Sequence, residues 1–150
     1  MHYTNAVLQE SFRIVSFAYT GVPHHALADV EVGEYVIPKG ATVMPSLMHV
    51  MLDPEYFPNP NTFNPDRFID ENGIFKHDER VIPFGIGKRY CLGQALAEKE
   101  FFLFFTGILQ KFDINPAPLT NLPSFDISEH TPLNLLRLCP KYELIMTCRN

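Results

Sequence analysis

The stretch Phe84-Gly-Ile-Gly-Lys-Arg-Tyr-Cys-Leu-Gly93 decides how the rest of the chain is read. It sets a lone cysteine, Cys91, behind a glycine-rich turn, beside Arg89, and directly ahead of a helix-like apolar run. Phe84, Gly87, Arg89, Cys91 and Gly93 at these separations would recur by chance in a chain this size on the order of once in ten thousand. A thiolate at a helix N-terminus is stabilised by the helix dipole and by unpaired backbone N–H groups, which suits metal ligation. Gly87 would let the backbone pass close to a flat cofactor, Gly93 would permit tight helix packing, and Arg89 could pair with an anionic group on that cofactor. The competing reading, a buried structural cysteine beside a helix cap, loses ground to the surrounding glycines and arginine.

Outward from this loop, Leu92 to Lys111 reads as a long helix. Its run Phe101-Phe-Leu-Phe-Phe105 implies a far end engulfed by protein, and it is far short of the roughly 20 apolar residues of a membrane span. On the other side, residues Asp53 to Asp66 carry Pro54, Pro58, Pro60 and Pro65, a density that excludes both helix and sheet and predicts a meander. Thr4 to Ser16 reads as a buried helix ended by Gly21-Val-Pro23. Short strands are expected over His25 to Val32, Glu34 to Ile37 and Ala41 to Met44. A short helix is expected over Leu47 to Leu52, where Met44, Met48 and Met51 form a core stripe. A last strand is expected over Tyr142 to Met146. The fold class is mainly α with small β-sheets, an α+β chain of one domain spanning residues 1–150.

The 150 residues are 46% hydrophobic, with 13 Phe, enough to pack a core. A net charge of −5 argues against nucleic acid as a partner. Cys91, Cys139 and Cys148 make an odd, irregularly spaced set, a poor disulfide framework without zinc spacing, which leaves at least one thiol free. The chain begins almost inside a helical pattern, so the expectation is the tail of a longer chain.

Two further groups carry chemistry. Glu10 and Arg13, at i and i+3, share a helical face with apolar neighbours, so the pair is expected to be at least partly buried and in need of further partners. Arg67, in Asn64-Pro-Asp-Arg-Phe68, is the expected third member, stapling the meander to the helix. His24 and His25 do not suit a two-histidine metal site, because adjacent strand side chains point apart.

Together, Glu10-x-x-Arg13, Pro65-Asp-Arg-Phe68 and Phe84-x-x-Gly-x-Arg-x-Cys-x-Gly93, in that order, resemble the C-terminal portion of a cytochrome P450. Thr20-Gly-Val-Pro-His24, Tyr35-Val-Ile-Pro-Lys-Gly40 and Glu100-Phe-Phe-Leu-Phe-Phe-Thr-Gly-Ile-Leu-Gln110 resemble the microsomal family-2 type in particular. The resemblance runs from Thr4 to about Cys148 and covers roughly the last third of a typical member.

The resemblance implies the heme-binding part of that fold, incomplete, with heme b held by Cys91 as proximal thiolate ligand. It implies that Arg89 and His24 contact the propionates, that Phe84 packs near the sulfur, and that Glu10, Arg13 and Arg67 form a structural triad. Val22, Leu135 and Leu136 would line the substrate pocket. The implied activity is monooxygenation of a small apolar organic substrate with O2 and electrons from NADPH through a reductase. Lys88 and Lys99 are candidate reductase contacts, with plain solvated charge as the alternative. The implied location is the cytosolic face of the endoplasmic reticulum membrane, through an N-terminal segment not in this chain. Tyr90 stands where an aliphatic residue is usual and Gly85 where serine is common. Nothing in the chain resembles the acid–threonine element of the long central helix. A truncated, non-catalytic heme-binding or structural segment therefore stays open as the other reading.

Overall fold

The computed structural model describes residues 1–15, 18–118, 132–133, 136–137 and 141–149, with 132–133 and 136–137 described by backbone alone. Among them, helices α1 (His2–Val15), α2 (Leu47–Met51) and α3 (Gln94–Lys111) combine with four antiparallel strand pairs. The class is the expected mixture of helix and small antiparallel sheets.

Helix α1 carries the architecture. Ala6, Gln9, Glu10, Arg13 and Ile14 recur at three- and four-residue spacing, and all are buried. Two apolar clusters form against this helix. Ile14 meets Leu47, Met48 and Met51, while Ala6 meets Phe57 and Phe68 from the meander. Val81 packs against both clusters and so joins them just upstream of the cysteine loop. The methionine stripe is core at Met48 and Met51 only. Met44 is exposed, because it precedes α2 and does not share its inward face.

The strands are shorter than the sequence suggests. β1 (His24–His25) pairs with β4 (Thr42–Val43), and β2 (Val30–Val32) forms a hairpin with β3 (Tyr35–Ile37) around Gly33 and Glu34. The expected continuous strand from His25 to Val32 is interrupted over residues 26–29, where the Asp29 side chain accepts the Lys39 amide at 2.7 Å. The meander contains neither α-helix nor sheet. It ends in a 3-10 turn over Pro65–Phe68, with the Asn64 side chain accepting the Asp66 amide. Proline at the first turn position loses no needed donor there.

Two expectations are corrected in the last third. A strand over Phe112–Pro116 (β5), not anticipated, follows α3 directly and pairs with the terminal strand, which lies at Leu144–Cys148 (β8) rather than Tyr142 to Met146. Strands β6 (Pro132–Leu133) and β7 (Leu136–Arg137) form a small hairpin. The far end of α3 is not engulfed: Leu103 and Phe104 are 65% and 67% exposed, and no residue of this helix is buried. Its ring contact with α1 is made by Phe101, which meets Phe12 edge-on at 5.1 Å.

Candidate functional site

Glu10 and Arg13 are fully buried. Their carboxylate and guanidinium meet in a two-pronged pair, Arg13 Nε to Oε2 at 2.6 Å and Nη2 to Oε1 at 2.7 Å. Arg67 Nε and the Asn64 backbone amide also donate to Oε1, at 3.1 and 2.9 Å. The remaining guanidinium nitrogens are used as well. Arg13 Nη1 donates to the Met51 carbonyl, and Arg67 donates to the carbonyls of Pro58 and Thr62. The structure thus brings together the three expected residues and adds partners that only the folded backbone supplies. A buried charge pair is tolerable when its lone pairs and protons are satisfied in this way. The Arg13 guanidinium also lies 5.3 Å from the centre of the buried Phe57 ring.

The cysteine loop differs in every respect. From Ile86 to Gly93 each residue is exposed. A 3-10 turn over Gly87–Arg89 turns the chain, and Gly87 sits at φ +71°, a left-handed backbone that an L side chain adopts at a cost. The Cys91 amide then donates to the Phe84 carbonyl at 2.8 Å, closing the loop and leaving the sulfur as a free, exposed thiol. Gly93 is the residue preceding α3. Among the described residues, a methyl group added there would meet only the Cys91 sulfur at 3.8 Å, an ordinary contact, so the expected tight helix packing at Gly93 is not found.

Cys91, Arg89, Phe84, His24 and Val22 line one cavity of about 830 Å³. Phe12, Phe101, Val43 and Leu47 are among the apolar residues completing its wall. β1 turns His24 toward this cavity, while its neighbour His25 is exposed and sits 3.4 Å from the Thr42 hydroxyl. Phe84 meets the Phe12 ring edge-on at 5.4 Å, which ties the loop to α1. Gly87 shapes the loop without lining the cavity. Leu135 lies outside the described residues. Leu136 is described by its backbone only, paired with Leu133. Lys88 and Lys99 are exposed.

The donor set and the space suit a flat, mostly apolar cofactor bearing anionic groups. A soft sulfur faces the cavity, with a guanidinium and an imidazole on the same wall. A volume of this size also falls within the range of cofactor and ligand sites.

The family model for cytochrome P450 matches residues 1–146. The chain belongs to the cytochrome P450 family. It is 43% identical over 147 residues to cytochrome P450 2C23 of Rattus norvegicus, covering 98% of this chain and 29% of that protein. It is 49% identical over 119 residues to cytochrome P450 2B4 of Oryctolagus cuniculus, covering 79% of this chain and 24% of that protein. The relatives are of the family-2 cytochrome P450 type expected from the motifs. The chain therefore spans less than a third of the length of these two P450s. A third relative, the putative inactive cytochrome P450 2G1 of Homo sapiens, is 41% identical over 149 residues and is covered over 100% of its length.

Sequence reasoning missed Phe57, Phe12 and the segment Asp78 to Arg80 as parts of this arrangement. Arg80 reaches back to Asp78, with Nε to Oδ1 at 2.8 Å and Nη2 to Oδ2 at 2.5 Å, and this bonding holds the Asp78 carboxyl below its usual range. Asp78 and Arg80 pair locally, but what joins them to the rest, Gln9 on the Asp78 carbonyl and the Tyr56 and Phe57 rings under Arg80, lies on distant segments that no local motif marks.

Proposed function

We propose that this chain is the C-terminal, heme-holding part of a heme-thiolate monooxygenase acting on small apolar organic substrates. The observation that carries the reading is the convergence of Cys91, Arg89, His24 and Phe84 on one largely apolar cavity. Cys91 would hold the heme iron through its sulfur, with Arg89 and His24 pairing with the propionates and Phe84 packing beside the sulfur. Bound heme would supply the oxygen-activating chemistry, and the Cys91 thiolate would tune it by donating electron density. The chain's own residues hold, orient and insulate. Gly87 bends the loop so that Cys91 faces the cavity, the Phe84 carbonyl fixes the Cys91 amide, and Phe12 and Phe101 keep that wall apolar. Val22, Leu135 and Leu136 would meet the substrate. O2 and electrons from NADPH through a reductase complete the reaction. Attachment to the cytosolic face of the endoplasmic reticulum membrane belongs to the same reading. Among the described residues no helix is long and apolar enough to cross a membrane.

The test is the difference spectrum of the reduced, carbon-monoxide-treated protein. The parent should give the strongly red-shifted Soret band of thiolate ligation, and Cys91→Ser should lose it entirely. A parent without the band, or a serine variant that keeps it, removes the ligand assignment.

A second reading, a non-catalytic segment, is favoured by the exposed apolar face of α3 and by the matching length of the relative described as putatively inactive. It predicts the band without product formation when reductase, NADPH and an apolar substrate are supplied.

A further inference from the structure

Phe57 is a buried ring that receives a second guanidinium. Arg80 lies 5.5 Å from its centre and 5.2 Å from that of the adjacent Tyr56, while Arg13 lies 5.3 Å from Phe57. The Asp78 backbone carbonyl, in turn, accepts the side-chain amide of buried Gln9, the neighbour of Glu10 in α1, at 2.9 Å, and the Val81 amide at 3.2 Å. Arg80 is thus anchored by Asp78, stacked on the ring that Arg13 touches, and placed four residues before the Phe84 carbonyl that holds Cys91.

We infer that Arg80 is a positioning residue: through Phe57 it couples the buried Glu10–Arg13 network to segment 78–84 and so fixes the sulfur loop. The inference rests on the reading of Cys91 as an axial ligand. A cation over an aromatic face contributes modestly at a half-exposed site, and local opening of a segment follows from the contacts that hold it. The charge on Asp78 keeps the guanidinium over the rings. Without that anchor, a long arginine side chain would sample solvent, so the pair acts as one unit.

The experiment is amide hydrogen exchange on the full chain without added heme, followed by the carbon-monoxide difference spectrum after heme is added. Arg80→Ala should speed exchange at the Cys91 and Val81 amides about two- to fivefold and leave Ile114 and Met146 in the β5–β8 pair unchanged. It should also lower the fraction of heme showing the red-shifted band. Asp78→Asn keeps the backbone carbonyl for Gln9 and should reproduce the effect, and the double variant should add nothing to either single change. Unchanged exchange at Cys91, or an equal rise in β5 and β8, overturns the positioning role. A parent chain that never shows the red-shifted band overturns the ligand reading instead, so the two failures are told apart.

Discussion

The ionic cluster on α1 and the cysteine loop are built in opposite ways although both are tied to the same helix, the loop through the contact of Phe84 with Phe12. In the first, two fully buried side chains engage all three guanidinium nitrogens and both carboxylate oxygens in hydrogen bonds. In the second, eight consecutive residues are exposed, and the fixed points are a left-handed glycine and a few backbone hydrogen bonds, from the Tyr90 amide to the Gly87 carbonyl, the Cys91 amide to the Phe84 carbonyl and the Gln94 amide to the Cys91 carbonyl. The difference teaches a division of labour. A group meant to meet a cofactor must stay open until the cofactor arrives, so its position has to be set by something that is already closed. Phe12, in contact with both Phe84 and Phe101, and Val81, shared by the two apolar clusters, transmit that position.

The strongest way to break the comparison is to damage the closed region. Glu10→Gln swaps one accepting oxygen for an N–H₂ that faces arginine donors, leaving buried charge uncompensated. Loss of one member of a buried pair costs about 3–5 kcal/mol, a large share of a small domain's stability. Denaturant unfolding of the variant should show that loss. A change below about 1 kcal/mol would mean that the network does not carry the fold. Cys91→Ser should do the reverse, abolishing the thiolate signature while changing stability by no more than about 1 kcal/mol, because an exposed thiol contributes little to packing.

These two regions were also the most legible in sequence, and for a shared reason. Each is declared by residue types at short, fixed spacing: Glu10 with Arg13 along one helical face, and Cys91 with its glycines and Arg89 in one turn. What was not legible depends on distant backbone. The Asn64 amide and the Met51 carbonyl complete the buried network, yet any residue type could supply the carbonyl and any but proline the amide. Strand β5 contains Asp113, Asn115 and Pro116, a composition poor in strand formers. It is a strand because Leu144–Cys148 pairs with it from about thirty residues away and Arg149 binds Asp113 at 2.8 Å. The aromatic run of α3 declares that it seeks cover, but cannot say which surface provides it.

The glycines sharpen the comparison on a smaller scale. At Gly87 nothing lies within 4 Å of an added methyl group, so Gly87→Ala tests backbone conformation alone. A left-handed φ costs a non-glycine residue about 1–2 kcal/mol. At Gly93, φ is −84° and the nearest described atom is the Cys91 sulfur at ordinary contact distance, so Gly93→Ala should cost less than about 1 kcal/mol. The same order should hold in the fraction of heme carrying the red-shifted band. Equal losses from the two variants would show that the loop is held by packing rather than by its turn.

The smallest expected effect concerns acid. The Arg80 guanidinium lowers the Asp78 carboxyl chiefly through their hydrogen bonds, with further help from the Arg80 amide and the charges of Arg80 and His77, against an opposing contribution from burial. A carboxyl lowered on folding contributes stability that is fully present above its unfolded value, near 3.8, and is lost as pH falls through the lowered folded value. Between neutral pH and the ordinary carboxylate range the pair should therefore be insensitive to acid. Below that range, exchange at Val81 and Cys91 should rise in the parent. In Asp78→Asn the rise tied to this carboxyl disappears, because the residue no longer titrates. Matching acid limbs in parent and variant would assign the loop's acid sensitivity to another group and leave the Asp78–Arg80 pair as surface charge. A limb present only in the parent would tie the open region to the closed one through a single titrating side chain.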